Sequence, residues 1–539
     1  MVFHARNRSV ALGEFLAVIV ATVAGFACGM IVGLCFGWTQ CCVKMNASGG
    51  RGWRRPCRLN GVTVRRWYRE NSKSRGGGAM SSRFNRRGFV KGAAWGAAGW
   101  WILSGSGSVR SYQANERLNI AVVGAGRRGS HLARVVRRLE QNLVALCDTD
   151  RRRAEPWQKD APEVPWYEDF RRMLDEQDAQ IDGVVAALSP MHNHGAIAAA
   201  AMRRGKHVFI EKPIGHNVGE LRALRQIAAQ QKVASQMGNQ GMATDSFRRT
   251  VELVRDGAIG QVREAYLWAV GGGPGPGDPP TGERPVPDYL NWDLWLGARP
   301  ARPFHPAWMS GAWREFGTAR LGGWGSHAAN MIFMGLRLGA LWGTDGDVPG
   351  TIRVTASPSD RCEHRYPRRE TTQFDIPARG DLPPVRLHWY LAPRPELEER
   401  GIWQRLQEIA GRPPVMEGSW TPESGSMLAG SKGVVHTNSH NSVCHMLPEG
   451  EFPEAAEPPQ RLPSVRGHEP EWLDGCRGKA TPISNLNHSG PMMEMLYLSH
   501  VAGLFPEQTI EYDAKQGKIV NLDEANRWLN WPRREGWEL

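Results

Sequence analysis

No two of the nine cysteines are spaced CxxC, which excludes a zinc ribbon and a dithiol redox centre of the common type. Five of them, Cys28, Cys35, Cys41, Cys42 and Cys57, precede the long body of the chain. Only Cys147, Cys362, Cys444 and Cys476 lie within it, too few and too scattered for a disulfide scaffold. Acidic residues are also scarce at the front. Residues 1–114 hold 17 Lys and Arg against two acids, Glu14 and Glu70, a net of +15, while all 539 residues together reach only +13. The body is therefore near neutral, and nucleic-acid binding loses its main electrostatic support. No internal repeat is evident, which argues against a solenoid. The length and apolar content allow two or three domains.

The front end reads as targeting rather than fold. Phe15 to Trp38 is 24 residues without a charge, long enough to cross a bilayer as a helix and serve as a membrane anchor. Residues 44–79 are rich in Arg and Gly, lack apolar periodicity and read as unfolded. After Met80 comes SSRFNRRGFVKG, with paired Arg86 and Arg87, Phe89 and Lys91, then a mildly apolar stretch from Gly92 to Leu103. This resembles a twin-arginine export signal and implies the Tat translocase as a partner. The signal region spans 80–114, with cleavage after Ser108 or Ala114. Residues 1–79 are either an anchor preceding the signal or translated from an upstream misreading of a start at Met80.

Leu118 opens LNIAVVGAGRRGSHLARVVRRL, which is a short apolar run, a Gly-rich turn and a helical pattern in order. Gly124, Gly126 and Gly129 give the GxGxxG spacing that lets backbone approach a pyrophosphate at a helix N-terminus. A second strand, Leu143 to Cys147, ends in Asp148, placed to accept from an adenosine ribose hydroxyl. Asp148 favours NAD over NADP, while Arg151, Arg152 and Arg153 keep NADP possible. Helices around 170–175 and 196–204 alternate with strands IDGVVAAL and HVFI. That alternation predicts a parallel doubly wound sheet, with ligands at the strand carboxyl ends where SPMHNH (Ser189 to His194) and EKP (Glu211 to Pro213) fall.

Past Gly241 the pattern changes. A helix over 245–256 leads to a strand over 262–270, and GGGPGPGDPP then predicts a loop over the site. TIRVTA, ETTQFDI, VRLHWYL and GVVHTN read as strands of a largely antiparallel sheet. Residues 392–425 read as an insert. Ser489 is expected to cap a late helix that carries Met495, Leu498, Val501, Ala502 and Phe505 on one face.

VVGAGRRG, CDTD, SPMHNH in place of TPxxxH, AMRRGKHVFIEKP and SQMGNQGMATDSFRRTVELVRDGAIGQVREAYLW together resemble the Gfo/Idh/MocA oxidoreductases, typified by glucose-fructose oxidoreductase and inositol dehydrogenase. NWDLWLGARPARPFHP, GTARLGGWGSH, GHEPEWLDGC and RREGWEL resemble a twin-arginine-exported branch. The implied fold class is α/β, with an N-terminal Rossmann dinucleotide-binding domain over 115–240 and a C-terminal α+β domain with a largely antiparallel open sheet over 241–539. The second domain would bind substrate and pair subunits, so a homo-oligomer is expected.

The resemblance implies a cofactor site of Gly124, Gly126, Arg127, Arg128, Gly129, Asp148, Ser189, Pro190, His194, Glu211, Lys212 and Pro213, with His192 beside the nicotinamide. It gives Lys212 the acid/base role, and a buried lysine can be tuned for that work near neutrality. His327 is its expected partner. The family motif GDxGxHxxD stands here as Gly322 to Asn330, with Gly323 and Asn330 where two carboxylates are usual. Glu315 or Asp293 are candidate substitutes. His436, His440, Cys444 and His445 are spaced like metal ligands but follow a strand pattern, and no metal is expected. Trp292, Trp295, Trp308, Trp313 and Trp324 suit either core packing or stacking on sugar rings. The expectation is an exported, periplasmic NAD(P)-dependent oxidoreductase of a sugar or polyol with tightly held cofactor. Its rivals are a redox-neutral NAD-dependent glycoside-cleaving enzyme and a binding protein with a degenerate site.

Overall fold

The computed structural model describes residues 117–539. The charge-free run Phe15 to Trp38, the Arg86–Arg87 signal and both cleavage points lie outside the described residues. Among the described residues no helix is long and apolar enough to cross a membrane.

The first half alternates strand and helix as the sequence pattern requires. β1 (Asn119–Val123), α1 (Arg127–Arg138), β2 (Asn142–Cys147), α2 (Ala154–Asp160), β3 (Trp166–Tyr167), α3 (Phe170–Gln177), β4 (Gly183–Ala186), α4 (His194–Arg203), β5 (His207–Ile210), α5 (Val218–Gln231) and β6 (Ser235–Met237) follow in order. The six strands lie β3-β2-β1-β4-β5-β6, and each neighbouring pair is parallel. Strands buried on both faces need continuous apolar runs, and β1 and β4 are almost wholly buried. The order reverses between β1 and β4, so a crevice opens above their carboxyl ends.

The second half continues through α6 (Asp245–Arg255), β7 (Val262–Val270), α7 (Trp292–Leu296), α8 (Ser326–Gly335), β8 (Thr351–Pro358), β9 (Glu370–Ile376), β10 (Val385–Ala392), α9 (Arg394–Glu399) and α10 (Ile402–Ala410). β11 (Gly425–Gly430), β12 (Val434–Asn438), β13 (Cys444–Leu447), α11 (His468–Cys476), α12 (Leu486–Ala502), β14 (Thr509–Asp513) and β15 (Lys518–Ile519) complete it. Nine strands pair in the order β13-β12-β11-β7-β10-β9-β8-β14-β15. All pairs are antiparallel except β7 with β10.

Four features were misread in the sequence or not visible in it. The insert is folded: α9 and α10 place Leu397, Trp403 and Leu406 against Tyr266 and Trp268 of β7, so they cover a face of the sheet that would otherwise be wet. Ser489 caps nothing. α12 starts at Leu486 with the Asn485 side chain accepting from the Asn487 N–H, and Ser489, inside the helix, donates its hydroxyl to the Asn485 carbonyl. α12 is buried on nearly all sides, not on one face, because it runs between the two sheets; even Glu494 is enclosed, paired with Arg222 and bonded by Trp342 and Tyr512. Finally, the chain returns to the first sheet twice, once before the last two strands of the second sheet are added and once after them. Trp472, Leu473 and Cys476 of α11 join Leu118, Ile120 and Phe209 in one apolar cluster, and Trp537 packs edge-on to Phe170.

Candidate active site

Gly124 ends β1 with φ of +92°, a left-handed conformation that glycine adopts freely. A Cβ there would lie 2.6 Å from the Ala187 carbonyl oxygen, and one at Gly129 would lie 1.5 Å from that of Gly124. These two glycines let α1 sit hard against the strands. Gly124 and Gly126 both line the cleft, but Gly126 differs in that a Cβ on it would meet no protein atom within 4 Å. The room it leaves opens over the first turn of α1, where no side chain caps the backbone N–H groups and Arg127 and Arg128 line the wall. A helix N-terminus bare of side chains and flanked by arginines fits a pyrophosphate.

Asp148 lines the same cleft. Its carboxylate accepts from the Ala125 N–H at 2.8 Å and the Asp150 N–H at 3.0 Å, and burial pushes its pKa up against those hydrogen bonds. The arginines expected to admit NADP are mostly committed elsewhere. Arg151 pairs with Glu168, and Arg152 pairs with Asp150 and lies 3.5 Å from the Tyr289 ring centroid. Arg153 alone of the three lines the cleft.

Ser189, Pro190, Met191 and His192 form the next part of the wall. His194 does not line the cleft. It is wholly buried, with Nδ1 at 2.9 Å from the Pro213 carbonyl and Nε2 accepting from the Leu188 N–H at 2.9 Å. Burial drives its pKa down to about 4. A neutral ring that ties the turn after β4 to the turn after β5 holds the wall in place without touching a ligand.

Glu211, Lys212 and Pro213 follow β5 and line the cleft. Glu211 is buried and pairs with Arg128 at 2.6 Å, and Arg128 also approaches Glu469 at 3.6 Å. Lys212 donates from Nζ to the Gly323 carbonyl at 3.0 Å, and burial lowers its pKa from the ordinary lysine value, only partly opposed by Glu211. His327, on the first turn of α8, faces the same space. Its ring is buried, its Nδ1 has no protein partner, and burial next to Lys212 holds it well below the ordinary imidazole pKa. The whole cleft measures about 1990 Å³. Since single-ligand pockets span roughly 300–1,000 Å³, a dinucleotide and a second ligand fit together.

Residues 118–239 match the model of the oxidoreductase family with an NAD-binding Rossmann fold, Gfo/Idh/MocA. Residues 118–239 are thus the NAD-binding Rossmann part of a Gfo/Idh/MocA oxidoreductase. It is 31% identical over 150 residues to inositol 2-dehydrogenase of Salmonella typhimurium and 28% identical over 167 residues to a glycosyl hydrolase family 109 protein of Saccharopolyspora erythraea. These matches cover 27% and 28% of this chain, and they span 43% and 35% of those curated relatives. An uncharacterized oxidoreductase of Synechocystis is 23% identical across 69% of this chain and 90% of its own length. Among solved structures, the WlbA dehydrogenase of Chromobacterium violaceum, in complex with NADH and UDP-GlcNAcA, shares the fold at a TM-score of 0.50 and 14% identity, over 74% of this chain and 97% of that one.

The two positions that depart from the motif expected around His327, Gly323 and Asn330, are not alike. Gly323 is in the cleft, in a single π-helical turn (Leu321–Gly325), and a Cβ there would meet nothing within 4 Å. Asn330 is turned away. Its Nδ2 donates to the carbonyls of Ser326 and His327 at 2.9 and 2.8 Å, and its Oδ1 lies 2.9 Å from Nε2 of His488. Only the Gly323 substitution therefore alters the cleft. Neither candidate substitute reaches it: Glu315 pairs with Arg302 and Asp293 with Arg534, and neither lines the wall.

Of the tryptophans, Trp292, Trp295, Trp308 and Trp313 pack with Phe304 and Phe316 as a core, from which Trp295 also reaches the cleft. Trp324 lines the cleft outright. His436 is buried on β12 and stacks on Trp268, whereas His440 lines the cleft. Among the described residues no group of three or more His, Cys, Asp or Glu could hold a metal. Sequence reasoning noted His440 only for a metal-like spacing and 392–425 only as an insert; it missed that His440 lines the cleft and that Arg412, Glu417 and the 83% exposed Trp420 of the insert do so too. The signal that could have placed His440 in the cleft was a histidine in the turn-rich run TNSHNS after a strand.

Proposed function

We propose that this chain is an NAD-dependent oxidoreductase of a sugar or polyol. The observation that carries the reading is that one cleft holds both the Gly124–Gly126 cradle with Asp148 and the pair Lys212 and His327. Gly126 and the first turn of α1 would hold the pyrophosphate, Asp148 a ribose, and the Ser189–His192 segment the nicotinamide side. When bound, NAD would supply the hydride acceptor for a carbinol carbon. The chain's own task is then the hydroxyl proton. Lys212, its pKa lowered by burial, is suited to take that proton as a neutral amine and return it in the reverse direction. His327, held neutral, is suited to accept a hydrogen bond from the same hydroxyl. Asp148 supports NAD over NADP, since a 2′-phosphate would meet its charge, and Arg153 is the single arginine there to offset it.

We further propose that the chain is exported folded by the twin-arginine route with its cofactor already loaded, which the RRGFVK motif at Arg86 supports. Outside the cytoplasm the cofactor would be held tightly and recycled in place, and Phe15 to Trp38 would anchor the protein if retained. The name of the glycosyl hydrolase relative supports a second reading, redox-neutral glycoside cleavage. A panel of aldoses, inositols and aryl glycosides, followed by NADH absorbance and by aglycone release, tests both. Sugar-dependent NADH formation supports the dehydrogenase, release without net NADH supports cleavage, and silence with bound NAD contradicts both.

A further inference from the structure

The cleft lacks the carboxylate that Gly323 removes, yet it is not short of proton-exchanging groups. The loop between β12 and β13 delivers a third nitrogen base. The His440 ring lies 4.7 Å, centroid to centroid, from His327, 5.1 Å from Trp324 and 6.1 Å from Trp420. Ser439 Oγ engages its Nδ1 at 3.1 Å, which leaves Nε2 as the nitrogen free to meet a ligand.

This loop is held unusually firmly for a connection. Asn441, with φ of +55°, accepts from the Met331 N–H of α8 at 2.8 Å and donates to Thr437 Oγ1 at 2.6 Å. Asn438 Oδ1 accepts from the Ser442 N–H at 2.9 Å. On the other side, a Cβ at Gly241 would sit 1.8 Å from the His440 carbonyl oxygen. The loop is thus pinned to the helix that carries His327 and to the segment that leaves the first sheet. Its position is fixed relative to both halves of the site, as a catalytic group requires.

We propose that His440 is a catalytic residue of this cleft, supplying from a loop of the second sheet the proton-exchanging group that Gly323 does not. The inference rests on the oxidoreductase reading above. With NAD bound to supply the hydride acceptor for the carbinol hydrogen, the substrate hydroxyl would give its proton to a neutral nitrogen of the Lys212–His327–His440 cluster, so charge and atoms would balance. The charged and titratable groups acting on His440 are Lys212 and His327; burial and Lys212 hold it below the ordinary imidazole value, ready to accept.

The test compares the parent with His440→Asn, Gly323→Asp and the double variant, on the best substrate from the sugar panel. His440→Asn is expected to lower kcat about a hundredfold or more, with NAD affinity and Tm unchanged. Adding Gly323→Asp is expected to recover at least tenfold of that loss, because the space beside Gly323 accepts a side chain. A second readout needs no turnover: in Lys212→Met protein, the ring resonance of His440 should shift when that sugar is added. Retention of kcat within threefold, loss of NAD affinity or Tm alongside kcat, absence of rescue, or a silent ring resonance would each overturn the proposal. A parent that binds NAD and turns over no sugar overturns the oxidoreductase reading itself, and this inference with it.

Discussion

Gly126 and Gly129 sit three positions apart in one motif and answer to different constraints. Gly126 faces open space, so Gly126→Val should leave Tm within about 2 °C of the parent while weakening NAD at least tenfold, since the branched side chain fills the cradle. Gly129→Ala should do the opposite first, costing more than 1 kcal/mol of stability because its Cβ meets the Gly124 carbonyl. Urea unfolding and NAD titration of the two variants separate these effects. Lys212 gives a pH prediction. Its pKa is depressed, so sugar oxidation should rise with pH through a value below the usual lysine range, and Lys212→Met should lose about 10² to 10⁴ in kcat while flattening that limb. The placement of Gly124, Gly126, Asp148 and Lys212 along one cleft was legible because each follows an apolar run, whereas Gly129, expected beside the cofactor, does not line the cleft. His194 was misplaced for a physical reason: its position in the motif is right, but a ring with both nitrogens bonded to backbone has nothing left for a ligand.

Helices and strands with alternating or continuous apolar patterns were read almost to the residue, as with β5, β7 and β9. The errors fall where packing overrides a local signal. α12 is enclosed between two sheets, so its pattern has no polar face and its start cannot be found from amphipathicity; Asn485, not Ser489, is its cap. α9 and α10 hide in a Pro- and Arg-rich insert, although Leu397, Trp403 and Leu406 have the spacing of a buried stripe. The tie between α6 and α11 involves residues far apart in sequence. Arg248 and Glu471 are both buried and lie 2.8 Å apart, and Arg248 also donates to the carbonyls of Met242 and Pro463. Glu471→Ala should cost about 3–5 kcal/mol, because it leaves a buried guanidinium uncompensated. Replacing both residues with apolar side chains of similar volume should cost less, and urea denaturation of the two variants decides between the outcomes.

Taken whole, the molecule buries many neutral imidazoles. His192, His436, His488 and His500 are driven to about 3, and His194 and His468 to about 4, all chiefly by burial. Each is depressed in the folded state, so the unfolded chain binds more protons once the pH drops below the ordinary imidazole value of about 6.5. Stability should hold above pH 7 and fall steeply from about pH 6.5 toward 4, which a series of urea midpoints would show; a flat profile across that window would contradict the burial of these rings.

The same molecule places a dinucleotide cradle and a proton-exchanging cluster in one cleft, and everything proposed about its chemistry depends on NAD being the ligand there. The most direct measurement is mass spectrometry of the nucleotide released when the natively purified chain is denatured, paired with titration of the emptied protein by NAD and by NADP. About one NAD per chain, or tight rebinding of NAD in preference to NADP, is the predicted result. A chain that releases no nucleotide and binds neither one would contradict the account.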